Sequence, residues 1–303
     1  MNSPAVGRAG ALAGCGTALV TPFLPSGAID EPALRAFVDF QIAGGVDFVV
    51  PCGSTGEAVT LSVAEHRRVV EITVEQVAGR IPVVAGAGSN DTQKAIVLSQ
   101  ESLAAGATHL LHVTPMYNKP PQRALVAHFR AIADAVDLPI VLYNVPGRTS
   151  VNLEARTCLE LADDARFVAV KEASGNLAQM THILRERPDG FSVFSGDDGF
   201  TLSVMAHGGD GVISVVSNIA PKLVADLCGA CRTNDFARAR IFDAQLAGLI
   251  YAAFIESNPI PMKSMLHMAG RMHDVLRLPL VSLDAAHHAM VRAALTNAAL
   301  LTD

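Results

Sequence analysis

A (β/α)8 TIM barrel with a C-terminal helical appendix is the fold class this sequence predicts. Three observations carry it. Eight short apolar runs recur along the chain, segments of helical apolar spacing separate them, and the runs stop after about residue 234. Strands alternating with helices imply a parallel sheet covered by helices, and eight such units close into a barrel. An open doubly wound sheet is the alternative, but no glycine-rich dinucleotide fingerprint follows the first run.

The runs fall at 17–20, 47–51, 82–86, 109–113, 139–143, 167–171, 191–195 and 211–215. Short, continuous apolarity is what a strand buried on both faces requires. Between the first two runs, Leu34, Phe37, Val38 and Ile42 share one helical face behind Asp30, a capping side chain. Ser62-Val63-Ala64-Glu65 has capping-box form and leads into Val69, Ile72 and Val77. Beyond Asn234, segments 235–254, 259–272 and 283–301 read as three helices. The expected division is therefore a barrel over 1–234 and a three-helix region over 235–303. Met262, Met265, Met268 and Met272 form a stripe that reads as packing in a core or an interface.

Of the 303 residues, 50% are hydrophobic and 17% charged, which describes a well-buried globular chain. The formal net charge is −6, with no basic stripe, so nucleic acid is not an expected partner. The longest apolar stretch, 246–255, is far short of the roughly 20 residues a membrane span needs. Residues 1–14 carry one arginine and no sustained apolar run, so no secretory leader is expected. The five scattered cysteines, Cys15, Cys52, Cys158, Cys228 and Cys231, point to reduced thiols and a cytoplasmic location. Cys228 and Cys231 form a lone C-x-x-C, which reads as helix packing. His109 and His112 face opposite sides of one strand, His287 and His288 are adjacent on a helix, and Asp197-Asp198 reads as a helix cap. No metal is expected.

Reactive residues of such barrels sit at the C-terminal ends of the strands. The second run is followed by Gly53-Ser54-Thr55-Gly56-Glu57 and the fourth by Thr114-Pro115-Met116-Tyr117-Asn118. The fifth ends in Tyr143-Asn144-Val145-Pro146-Gly147-Arg148-Thr149 and the sixth on Lys171. Taken singly, each has an ordinary reading: a strand-to-helix turn, two half-buried aromatics, a solvated loop arginine, a snorkelling strand-end lysine. Together they place an amine, hydroxyls and a guanidinium on one rim. Burial lowers a lysine pKa and frees its nucleophilic amine, which points to imine chemistry on a carbonyl substrate. Tyr117 and Tyr143 can pass a proton through Ser54, because hydroxyls both donate and accept. The amides and hydroxyls from Gly53 to Thr55 suit a carboxylate, and Arg148 suits a second one.

The chain resembles the dihydrodipicolinate synthase / N-acetylneuraminate lyase family of pyruvate-dependent class I aldolases. The matching segments run in family order. They are Gly16 to Phe23, Gly53 to Glu57, Thr114 to Asn118, Tyr143 to Thr149, Lys171 to Asn176, Ser195 to Asp198, Gly211 to Ser214 and Asn258 to Lys263. The resemblance implies that Lys171 forms the imine with pyruvate and that Tyr143 moves protons on the imine and enamine. It implies that Ser54 and Tyr117 complete the relay, with Tyr117 reaching into a neighbouring protomer's site. Gly53, Ser54 and Thr55 would hold the pyruvate carboxylate, and the Ile213 carbonyl would face the substrate. Arg148 would bind the carboxylate of L-aspartate 4-semialdehyde, the short aldehyde partner on the route to diaminopimelate and lysine. No cofactor is implied, and the family assembly is a homotetramer built from tight dimers.

Two departures stand out. The synthase branch usually has threonine where this chain has Ser54, and the lyase branch often has serine. Lysine-inhibited synthases bind lysine with a glutamate and a tyrosine at positions that match Lys94 and Met116, which implies weak or absent lysine inhibition. The rival readings are an aldolase or lyase acting on a sugar acid or N-acetylneuraminate, and a non-catalytic keto-acid-binding paralogue. The retained Lys171, Tyr143, Tyr117 and Ser54 hydroxyl argue against the second rival.

Overall fold

A computed structural model describes residues 12–301. Most of the stretch read for a leader therefore lies outside the described residues. Strands and helices alternate as β1 (Gly14–Ala18), α1 (Glu31–Ala43), β2 (Phe48–Val50), α2 (Val63–Val77), β3 (Val84–Gly86), α3 (Thr92–Ala104), β4 (His109–Val113) and α4 (Gln122–Ala135). They continue as β5 (Ile140–Asn144), a short α5 (Pro146–Thr149), α6 (Ala155–Ala162), β6 (Phe167–Glu172), α7 (Leu177–Glu186), β7 (Ser192–Ser195), α8 (Thr201–Ala206), β8 (Gly211–Ser214) and α9 (Pro221–Arg232). Then come α10 (Phe236–Ala253), α11 (Ile260–Met268) and α12 (His288–Asn297).

Among the described residues the eight strands pair in the order β2-β1-β8-β7-β6-β5-β4-β3. Val49 of β2 bridges in parallel to Val83, just ahead of β3, which joins the two ends of that order. The Gly86 N–H donates to the Pro51 carbonyl at 2.9 Å across the same seam. The result is a (β/α)8 barrel. Helix starts follow the expected chemistry. Asp30 Oδ1 accepts the Ala33 N–H at 3.0 Å, and Ser62 and Glu65 cap each other's backbone at 3.2 and 2.9 Å.

The first strand differs from the expected 17–20 and begins three residues earlier. Its sequence, Gly14-Cys15-Gly16, lacks the branched side chains that mark a buried strand. The barrel interior explains this. Phe48 and Phe194 meet edge to face at 5.4 Å and, with Val50, Val141 and Ile213, fill the inner layer. A Cβ on Gly16 would lie 2.1 Å from the Phe48 ring, so the aromatic takes the space a side chain on β1 would need. A larger apolar layer lies between sheet and helices.

The three C-terminal helices form near the expected segments, and α10 packs on α9. Helix α11 stops at Met268, not 272, because Gly270 turns the chain with φ 69°. Met262 and Met265 are fully buried and Met272 nearly so, which makes the methionine stripe core packing. Cys228 and Cys231 are buried thiols on α9. No helix among the described residues is long and apolar enough to cross a membrane.

Candidate active site

Parallel register brings the two strand-end residues together: Tyr143 of β5 pairs directly with Lys171 of β6. The Lys171 ammonium sits 4.4 Å from the Tyr143 ring centroid. Both side chains are buried, and both line a cavity of about 190 Å³ at the C-terminal end of the barrel. Gly53, Ser54, Thr55 and Arg148 line the same cavity. A wider cavity of about 310 Å³, also bordered by Arg148 and Tyr143, leads outward. A further cavity, about 670 Å³, lies elsewhere, among α1, α9, α10 and α12. It is mainly apolar and contains none of these groups.

Burial lowers the Lys171 pKa to about 8, with the buried Asp198 carboxylate opposing the shift and Arg148 assisting it. The amine therefore becomes neutral at a lower pH than an exposed lysine would. Burial pushes the Tyr143 phenol up to about 12, against the Arg148 charge and the Ser54 hydroxyl, which lower it. The phenol is thus a standing proton donor beside a nucleophilic amine. Glycine at 196 is what lets β7 approach: a Cβ there would lie 2.7 Å from Ala173 and 3.0 Å from Lys171 Cγ.

The turn after β2 is bracketed by left-handed residues, Cys52 at φ 56° and Glu57 at φ 53°. Non-glycine residues hold that conformation at a cost, so something must pin the turn. Glu57 supplies the pin. Its carboxylate lies 2.5 Å from Lys263 Nζ of α11, with both side chains fully buried, and it accepts the Arg277 backbone N–H at 3.0 Å. Lys263 also donates to the Val275 carbonyl at 2.8 Å and lies over the Phe23 ring. Removing one partner of a buried ion pair strands the other charge. Lys263→Met is therefore expected to lower stability by about 3–5 kcal/mol, read as a shift of the urea midpoint. A loss under about 1 kcal/mol would contradict the anchoring role.

One sequence-expected side chain, that of Tyr117, is not gathered at the cavity. Tyr117 stands 88% exposed at φ 76°. The Ile213 side chain is fully buried in the inner layer, which leaves only its backbone carbonyl for the expected contact, and Val215 lines the cavity. Two residues to which the sequence assigns no role at the site are Asn258 and Asp198. Asn258 lies between α10 and α11 and borders the cavity, though the three-helix region was read as an appendix. Asp197 caps a short turn by accepting the Gly199 N–H at 3.0 Å, as expected. Asp198 instead turns inward, is 3% exposed, and accepts the Ser214 hydroxyl and the Val215 N–H, the latter at 2.9 Å. Burial raises its pKa while those hydrogen bonds oppose the rise. No group of three or more His, Cys, Asp or Glu among the described residues is placed to hold a metal ion.

Comparison with known proteins gives a consistent picture. The dihydrodipicolinate synthetase family matches over residues 11–298. A 4-hydroxy-tetrahydrodipicolinate synthase of Koribacter versatilis is 47% identical, covering 96% of this chain and 97% of its own. The dihydrodipicolinate synthase of Acinetobacter baumannii, solved in complex with pyruvate, superposes with a TM-score of 0.94 at 39% identity, over 95% and 99% of the two chains. A monomeric dihydrodipicolinate synthase variant gives the same TM-score, 0.94, and 39% identity over 96% and 98%. The barrel with its buried strand-end lysine and the match over nearly the whole length agree: this chain belongs to the dihydrodipicolinate synthetase family.

Proposed function

We propose that this chain condenses pyruvate with L-aspartate 4-semialdehyde, the reaction of a 4-hydroxy-tetrahydrodipicolinate synthase, through an imine on Lys171. The observation that carries the reading is the buried Lys171 amine, its pKa lowered to about 8, paired in register with Tyr143 inside the rim cavity. The amine adds to the keto carbon, and water leaves to give an iminium. The iminium withdraws electrons from the methyl group, so loss of a methyl proton gives an enamine. The enamine carbon attacks the aldehyde, which restores an iminium on Lys171, and the new alkoxide takes a proton. The amino group brought in by the semialdehyde then adds to the iminium carbon, and the Lys171 amine leaves as the cyclic product is released. No cofactor is required, because the iminium is the electron sink.

In this reading Tyr143 moves the protons, with Ser54 and a neighbouring copy's Tyr117 as the rest of the relay. Gly53, Ser54 and Thr55 hold the pyruvate carboxylate, the Ile213 carbonyl faces the bound keto acid, and Arg148 at the mouth takes the carboxylate of the aldehyde. Arg148 favours a short acidic aldehyde over an N-acetylated sugar. The exposed Tyr117 supports a dimer that completes each site, and a homotetramer of such dimers is the assembly proposed. Sedimentation tests this, since a monomeric variant exists among the relatives. A cytoplasmic location and a division into barrel (1–234) and three-helix region (235–303) belong to the same reading.

Borohydride reduction in the presence of pyruvate tests the chemistry: the adduct is expected on the peptide containing Lys171. An unmodified Lys171 overturns the mechanism, and failure to turn over L-aspartate 4-semialdehyde overturns the choice of aldehyde. Lysine is expected to inhibit weakly or not at all. The Lys94 ammonium repels that of the ligand, and Met116 lacks a hydroxyl to offer it. Half-inhibition at micromolar lysine would contradict this.

A further inference from the structure

Asn258 touches both substrate-binding halves of the cavity. Its Nδ2 donates to the Thr55 hydroxyl at 2.8 Å, and its backbone carbonyl accepts from Arg148 Nη2 at 3.2 Å. It is 5% exposed and lines the cavity beside Lys171. A side-chain amide nitrogen can only donate, so this bond occupies a Thr55 lone pair and leaves the Thr55 proton unused. Among the described residues Thr55 makes no other side-chain hydrogen bond. A buried hydroxyl in that state has one role open to it, donation to something in the cavity.

The Asn258 Oδ1 tells the other half. It is buried and has no hydrogen-bond partner. An orphaned buried acceptor destabilises a fold, and an apolar side chain of the same size would carry no such penalty. The asparagine thus carries an uncompensated acceptor in order to keep the bond its donor makes to Thr55. Its donor is what the site uses.

We infer that Asn258 is a positioning residue: it fixes the polarity of the Thr55 hydroxyl, so that Thr55 presents a proton to the carboxylate of the keto acid bound to Lys171. The inference rests on the Lys171–pyruvate imine proposed above. The Arg148 contact is made by the Asn258 backbone, so side-chain substitution separates the two halves of the site. Aspartate at 258 accepts where asparagine donates, and it turns the Thr55 proton away from the cavity.

The test is the pyruvate concentration that half-saturates borohydride trapping on Lys171, measured without the aldehyde. Asn258→Asp is expected to raise it about tenfold or more, the loss of roughly one hydrogen bond to a charged group. The Michaelis constant for the aldehyde is expected to stay within about threefold, since Arg148 keeps its backbone acceptor. In a Thr55→Val background the same substitution is expected to add less than about threefold, because the effect runs through Thr55. An equal effect in both backgrounds would assign it to the added charge and overturn the inference. So would an unchanged half-saturation in Asn258→Asp. Should Asn258→Asp not fold, Asn258→Leu reads the same cycle without a charge. Failure of both to fold makes the residue structural and also overturns the inference. If the wild-type enzyme gives no adduct, the imine reading itself falls; a wild-type adduct with an unmoved variant sinks only the role of Asn258.

Discussion

Lys171→Met is expected to abolish the pyruvate adduct and reduce condensation to the uncatalysed background, while making the folded protein more stable at neutral pH. The first outcome follows from covalent catalysis, in which no other group of the cavity offers a nucleophilic amine. The second follows from the sign of the pKa shift. Burial lowers Lys171 from 10.5 to about 8, so the folded state binds fewer protons than the unfolded state between those values. Below about pH 8 the amine is charged in both states, and the folded protein carries the whole penalty of a buried ammonium. As pH rises from about 8 toward 10.5 the penalty is relieved, and above that range it is gone. A depression of this size corresponds to about 3 kcal/mol. The attraction between the ammonium and the Tyr143 ring is lost with the lysine and offsets about 1 kcal/mol. Methionine keeps the unbranched stem, so the expected net gain at pH 7 is about 1–3 kcal/mol, shrinking as pH approaches 10. Chemical denaturation at pH 7 and pH 10 checks both points. A variant less stable than wild type at pH 7 would mean that the lysine is structural, held by contacts that outweigh its desolvation. The same depression sets the pH profile of adduct formation, which is expected to rise through about pH 8 as the amine loses its proton.

The frame of the barrel was legible because its strands are apolar runs and its helices carry their own caps. Seven of the strands fall within two residues of the expected runs. The exception, β1, is built from the small residues that Phe48 demands, a constraint imposed by a side chain 32 residues later. Lys171 and Tyr143 were legible for the same reason as the strands: each ends an apolar run, and a polar residue there must point into the rim. Asn258 and Lys263 were not, because they lie in a segment with helical spacing after the last strand. Nothing local reports that their side chains reach back to Thr55 and Glu57. From sequence Asp198 reads as a cap, since adjacent carboxylates before a helix often are. Only the three-dimensional position of β8 shows that one of the pair turns inward. Tyr117 is a different case, since its expected partner is in another copy of the chain and its surroundings here are solvent.

Tyr143→Phe is expected to leave the adduct on Lys171 intact at equilibrium and to lower kcat by about 10²–10⁴-fold. The two outcomes separate because, in the proposed mechanism, the phenol does not form the covalent bond but moves the protons that make and break it. With its pKa raised to about 12, the phenol is protonated across the working range, so in the proposed mechanism it acts first as a donor, to the departing hydroxide of the carbinolamine. Only after giving up that proton is it a base, and a strong one, which the proposed mechanism uses to remove a methyl proton from the iminium. Burial thus makes the phenolate reactive, while Arg148 and the Ser54 hydroxyl keep it attainable by lowering the same pKa. The substitution removes one oxygen and leaves the ring under the Lys171 ammonium, so the change in the lysine's own pKa is expected to be small. Three measurements decide the matter: the time course of trapping, its final yield, and kcat at saturating substrates. A slow approach to full yield with a depressed kcat is the expected pattern. A kcat within about threefold of wild type would remove Tyr143 from the proton path and pass the role to another cavity group. A lost adduct would instead make the phenol part of the machinery that holds pyruvate in place.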